Sequence, residues 1–266
     1  MNIRAQLRRL KNALRPYYER LRYGQSVDEP MLVHEFFARK TGGVMVDVGA
    51  HFGTSLEPFA RKGWQVYGFE PDPNNRSVLS ERLKDLSTVS IDNRAVTDVS
   101  GQRLEFYTSD VSTGISGLSR FHESHRPTTT VTTVTLRDFL KTKPVSDIDF
   151  LKIDTEGFDL FVLKGFDWDK DPHPKTIVCE FEDKKTLPLG YCVNEMCEYL
   201  KSKGYQLIIS EWHPIVQYGK RHKWKGFLKS TKQITDPNAW GNIIATKTQY
   251  FPDMMNVCRR HGPVAA

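Results

Sequence analysis

The chain has 266 residues, 39% of them hydrophobic and 26% charged, which describes a globular protein able to bury a core as one large α/β domain or two small ones. No apolar run approaches the roughly 18 residues of a membrane span, and the opening "MNIRAQLRRLKNALRPYYERLRYGQ" is too polar for a secretory signal, so a cytoplasmic protein is expected. Residues 1–23 carry seven Lys/Arg against Glu19, and residues 220–232 carry six Lys/Arg and no acid. The net charge of +6 therefore sits in two short segments on an otherwise acidic body, which argues against a nucleic-acid binder with a broad basic face.

In residues 1–23, Ile3, Leu7, Leu10, Leu14, Tyr17 and Leu21 recur at spacings of four and three, which predicts an amphipathic helix with an arginine-rich opposite face. Such a helix suits packing on the domain or on a second subunit, and its basic face also suits peripheral contact with an anionic membrane. With a linker it forms the expected segment 1–40, followed by a catalytic domain over 41–250 and a tail over 251–266.

From Val44 strand and helix patterns alternate, which predicts a Rossmann-like α/β fold with a doubly wound, mostly parallel sheet. "VMVDV" and "WQVYGFE" read as strands around the helix "TSLEPFARKG", and "NNRSVLSERLKDLS" is a helix before the strand "TVSIDNRAV". The rhythm then breaks. "GQRLEFYTS" and "TTTVTTVTL" read as an inserted β-hairpin around a long polar loop. "DIDFLKIDTEG", "KTIVCEFED", "YQLIISEW" and "GNIIATK" supply the remaining strands, with helices at "FDLFVLKGF" and "YCVNEMCEYLKSKG". Cys179, Cys192, Cys197 and Cys258 contain no C-x-x-C and read as reduced thiols.

The turn after the first strand is "DVGAHFG". A dinucleotide fingerprint, G-x-G-x-x-G, needs glycines that admit a pyrophosphate, whereas here Gly49 and Gly53 lie four apart and Asp47 would repel one. Asp47 suits a ligand presenting an ammonium group, as the methionine end of S-adenosylmethionine does. Glu70, at the end of the second strand, is placed to accept hydrogen bonds from ribose hydroxyls. These features disfavour a nicotinamide oxidoreductase.

The stretches "VMVDVGAHFGTSLEPFA", "VYGFEPDP", "NRAVTDVSG", "VTLRDFL" and "IDFLKIDTEGFDLFVLKGF" resemble the FkbM-type methyltransferases in order and spacing over about Val44 to Phe166. The resemblance implies an S-adenosylmethionine-dependent O-methyltransferase acting on hydroxyls of natural products or glycans. It places Asp47, Gly49, Ala50, His51 and Gly53 at the methionine end of the cofactor and Glu70 with Pro71 at the ribose. Asn93, Arg94 and Ala95 then border the adenine, and Asp154 faces the reaction centre. The family usually has a short polar residue, often asparagine, where this chain has His51.

Methyl transfer asks the protein to orient the acceptor and remove its proton. "KIDTEG" offers Lys152 and Asp154 on one side of a strand and Ile153 on the other. With Glu180, Glu182 and Asp183 of "VCEFED" at the same rim, Asp154, Lys152 and Glu180 are the catalytic candidates. Asp154, Glu180 and Glu182 could hold Mg2+. His122 and His125 are secondary candidates for a base. The segment "KRHKWKGFLKSTK", Lys220 to Lys232, reads as a loop whose cations and aromatic rings, Trp224 and Phe227, could grip an anionic or sugar-bearing acceptor. An RNA-directed methyltransferase and a non-catalytic scaffold are the competing readings; the first lacks an N-P-P-Y-type tetrad.

Overall fold

The computed structural model describes residues 26–265. The amphipathic segment 1–23 lies outside them. An eight-stranded sheet forms the centre, built from β1 (Val44–Val48), β2 (Gln65–Phe69), β3 (Val89–Asp92), β7 (Phe150–Ile153), β8 (Thr176–Glu182), β9 (Tyr205–Trp212), β10 (Trp224–Leu228) and β11 (Trp240–Lys247). Its order is β10-β9-β11-β8-β7-β1-β2-β3. The pairs β3–β2, β2–β1, β1–β7 and β7–β8 are parallel, and β11 runs antiparallel to both β8 and β9. The sheet is thus mostly parallel, as expected. The ends of β1, β2, β7 and β8 meet at one rim, where the crevice of such a sheet forms.

Both faces are covered, so these strands read as apolar runs. Met45, Val66 and Phe150 pack on one face against α1 (Glu29–Phe36), α2 (Glu57–Arg61), α3 (Pro73–Leu83) and α8 (Phe251–His261). Val46, Val48, Leu151 and Ile153 pack on the other against α4 (Leu136–Leu140), α5 (Asp159–Lys164) and α7 (Val193–Ser202). Cap chemistry starts α3: Asp72 accepts the Asn74 and Asn75 backbone N–H groups at 2.8 and 3.3 Å, and Pro73 needs no donor.

The expected boundaries at 40 and 250 are not breaks in the packing. Leu32 and Val33 of α1 and Met254 and Cys258 of α8 are buried in one core, so the linker and tail regions both contribute helices to the domain. A second sheet holds β4 (Ala95–Val96), β6 (Arg126–Val134) and β5 (Arg103–Thr108), with β5 and β6 antiparallel. Residues 109–125 join β5 to β6. The threonine run ends sooner than its composition suggests: Thr135 caps α4 by accepting the Asp138 N–H at 3.1 Å. Among the described residues no helix is long and apolar enough to cross a membrane.

Candidate active site

The parallel register sets Asp47 of β1 beside Lys152 of β7, both on the face of Met45 and Phe150. Asp47 is fully buried, accepts the Ser55 hydroxyl at 2.5 Å and pairs with the Lys152 ammonium at 3.4 Å. It stands behind the turn and is not free to receive a ligand's ammonium, contrary to the sequence reading. Lys152 also donates to the Gly49 carbonyl at 3.3 Å and pairs with Asp154 at 3.4 Å. Burial works against its charge, but Asp47 and Asp154 outweigh burial and hold its pKa above the ordinary lysine range. Lys152 is therefore a fixed cation rather than a base.

Close packing requires the glycines of the turn. Gly49 has φ +85°, and a Cβ there would sit 1.9 Å from the Asp154 carbonyl oxygen. Gly53 faces Leu79 and Leu83 of α3, where a Cβ would meet Leu79 at 2.4 Å, so it lets α3 approach, and it lines neither of the cavities described below. His51 sits at φ 49°, a left-handed conformation that Asn, Asp and His tolerate better than most residues. This explains how histidine stands where asparagine is usual. Its ring stacks on Phe52 and meets the Thr113 hydroxyl at 2.9 Å, and burial lowers its pKa.

Glu70 ends β2 with both carboxylate oxygens engaged, one by the His51 N–H at 2.7 Å and one by the Asp72 N–H at 2.9 Å. Burial, outweighing those two bonds, pushes its pKa up to about 7. Glu70, Ala50 and His51 line a cavity of about 290 Å³ together with Thr54, Lys152 and Asp154. A narrower recess of about 50 Å³ adjoins it at Gly49, Glu70 and Asp154, and is walled by Pro71, Ala95, Val96, Phe106 and Leu118. Gly49 to His51, Glu70, Pro71, Ala95 and Asp154 thus come together around the two cavities, and the Asp154 side chain is 42% exposed. Asn93 is displaced. It lines an open depression between α3 and β3 with Arg76 and Ser77, while Arg94, tied to Asp92, borders both that depression and the recess.

The second acidic group has a different partner from the one expected. Lys185 projects from α6 (Asp183–Thr186) and lies 2.6 Å from Glu156, 3.0 Å from Glu180 and 2.9 Å from Glu182. Burial raises the pKa of Glu156 and Glu180 and works against Lys185, but the three carboxylates hold the ammonium charged. Asp154, Glu156 and Glu180 do offer oxygens within 4.8 Å of one another. A dication there would face the Lys185 ammonium, which already pairs with two of the three. The residues therefore do not fit Mg2+, and the metal assignment to Asp154, Glu180 and Glu182 is corrected. Glu180, expected to act in catalysis, is buried around Lys185 and lines neither cavity. The i,i+3 pair Glu182–Lys185 was the one sequence signal for this cluster.

Asp159 also escaped the sequence reading. It accepts from Thr155 and from the Glu180 N–H, fixing the turn after β7, and burial pushes its pKa up to about 6. Neither loop histidine lines the cavities. His125 is buried with Nε2 against the Ile115 carbonyl at 3.0 Å, and His122 is engaged by Ser124 at 2.6 Å. The basic segment is not a loop throughout. It contains β10, where Trp224 (6% exposed) donates to Ser210 and Phe227 (1%) packs in the core, so neither ring can stack on an acceptor. Lys225 pairs with Glu211.

Among solved structures, the fold is similar to precorrin-6y C5,15-methyltransferase from Geobacter metallireducens GS-15 (14% identity, 82% of this chain and 87% of that one, TM-score 0.45). It is also similar to precorrin 8w decarboxylase from Methanobacterium thermoautotrophicum (15%, 84% and 91%, 0.43) and to an rRNA methylase from Streptococcus thermophilus (11%, 84% and 99%, 0.41). Likenesses this distant do not bear on what the chain methylates. No curated protein matches the sequence. The methyltransferase FkbM domain model, however, matches residues 47–207, more than half of the chain, from the buried Asp47 through the Glu70 and Asp154 rim to β9. The chain belongs to the FkbM methyltransferase family.

Proposed function

We propose that the chain is an S-adenosylmethionine-dependent O-methyltransferase that alkylates a hydroxyl of a small molecule or glycan. The observation that carries this reading is Glu70. Each of its oxygens is engaged by one backbone N–H and keeps a lone pair, which suits the two hydroxyls of a ribose. The apolar recess beside it suits a flat base, and the residues present fit the cofactor: Gly49 to His51 for the methionine end, Glu70 and Pro71 for the ribose, Ala95 and Val96 for the adenine. Bound there, S-adenosylmethionine supplies a methyl group on a sulfonium, an electrophile with an excellent leaving group.

What remains for the protein is to orient the hydroxyl and take its proton. Asp154 is half-exposed at the join of the two cavities, with one carboxylate oxygen tethered by Lys152. Its other oxygen can accept the hydroxyl proton while Lys152 stays charged. Beyond it the cavity presents Asp28, Thr54, Ser55 and Asn242, a hydroxyl- and carboxylate-rich lining that favours a neutral polyhydroxylated acceptor over an anionic one. Asp154→Asn should lower the turnover number about 100-fold while S-adenosylmethionine affinity stays within a few-fold. Normal turnover in the folded variant, with binding checked by calorimetry, removes Asp154 from the chemistry.

Ribose hydroxyls donate to a carboxylate, so they bind ionised Glu70 best. Its folded-state pKa of about 7 makes S-adenosylmethionine affinity weaken as pH falls below 7. The same shift acts on stability in the opposite sense. A carboxyl raised above its unfolded value contributes fully below the unfolded pKa, and that contribution is lost as pH rises through the folded pKa. Glu70→Gln should flatten the binding profile between pH 5.5 and 8 in calorimetry. An unchanged slope in the variant would assign the titration to another group.

A further inference from the structure

Two loops roof the rim. Residues 109–125 reach back to His51 through Thr113, and residues 213–223, between β9 and β10, cross toward them. They meet where Gly219 packs against the Val111 carbonyl, while Tyr218 bonds Glu182 at 3.3 Å and lies under the Lys185 ammonium. Exposed apolar side chains stand on this roof and on the turn after α6 beside it. Val216 is 98% exposed and Leu187, two residues after Lys185, is 61% exposed; Val111 is exposed as well. Lys184, Lys220 and Lys223 are exposed on the same segments, and Asp110 and Glu123 offset only part of their charge.

A second basic segment precedes this region in the sequence. The chain enters α1 at Asp28, which lines the mouth of the main cavity with Thr113 and Gly114 of the roof. Just upstream, residues 1–23 carry seven Lys/Arg against one acid with a periodic apolar stripe. Apolar tips among cations are the chemistry of an interfacial protein, whose side chains enter the headgroup layer while lysines face lipid phosphates. A single-stranded nucleic acid would instead need exposed rings, and Trp224 and Phe227 are in the core.

We propose that the roofed rim docks on an anionic bilayer surface, with Val216 and Leu187 entering the headgroup layer and the neighbouring lysines facing lipid phosphates. The test is co-sedimentation of the full chain with phosphatidylcholine vesicles and with phosphatidylcholine–phosphatidylglycerol vesicles. Binding is expected only to the anionic vesicles, and Val216→Asp combined with Leu187→Asp should weaken it by about tenfold or more. Both side chains are exposed, so the thermal midpoint should not move. Failure of the wild-type chain to bind anionic vesicles overturns the proposal. So does equal binding by the double variant, which would assign attachment to residues 1–23 alone. Binding to a single-stranded RNA without vesicle binding also overturns it and identifies a nucleic-acid partner.

Discussion

Lys185→Met should destabilise the protein by about 3–5 kcal/mol at neutral pH, the scale for breaking a buried ion pair by removing one partner. Lys185 is buried against Glu156, Glu180 and Glu182, so its loss leaves three carboxylates facing each other with no cation among them. They can escape only by binding protons. Without the ammonium the folded-state pKa values of Glu156 and Glu180, already raised by burial, rise further above the unfolded value. The stability they retain is complete at acid pH and is lost as pH rises. The deficit against wild type should therefore be smaller at pH 5.5 than at pH 8. A thermal midpoint lowered equally at both values would show that packing, not charge, is what Lys185 contributes. The same arrangement predicts that chelators leave wild-type methyl transfer unchanged. Activity lost to EDTA and restored by Mg2+ would mean the lysine moves aside.

What the sequence revealed and what it hid divide along a physical line. Local periodicity and turn chemistry were legible. The glycine turn, the placement of Glu70 at the end of β2, and the alternation that sets Lys152 and Asp154 on one side all depend on residues near in sequence. Asp47 was misjudged because its partner is 105 residues away. Only the β1–β7 register brings Lys152 beside it and turns an apparent ligand group into half of a buried pair. The carboxylate cluster misled for the same reason, since acids on β8 and in the turn after β7 look like a metal site until α6 returns a lysine among them. β10 was hidden by its charge and by the register shift between Trp224 and Gly226, which breaks the alternation a strand would otherwise show.

Gly49→Ala should be more damaging than its one added carbon suggests, because two penalties act at once. The backbone holds φ at +85°, and L-residues other than glycine adopt this region at about 1–2 kcal/mol. Gly63, at φ +77° with nothing within 4 Å of its missing Cβ, measures that penalty alone. At Gly49 the new carbon also lies 1.9 Å from the Asp154 carbonyl oxygen, and a main-chain atom cannot rotate away. The ends of β1 and β7 must part, stretching the 2.9 Å bond from the Asp154 N–H to the Val48 carbonyl and moving the Asp154 carboxylate from the cavity join. The expected loss is about 3 kcal/mol or more, the scale of a steric and backbone defect combined, against about 1 kcal/mol for Gly63→Ala. Under conditions where Gly49→Ala remains folded, methyl transfer should fall further than cofactor affinity, since Glu70 is held from β2 and Asp154 is not. Urea titrations of the two variants together settle the matter. Equal losses at both glycines would mean that the turn gives way without disturbing β7, and that the close approach of the two strands does not position Asp154.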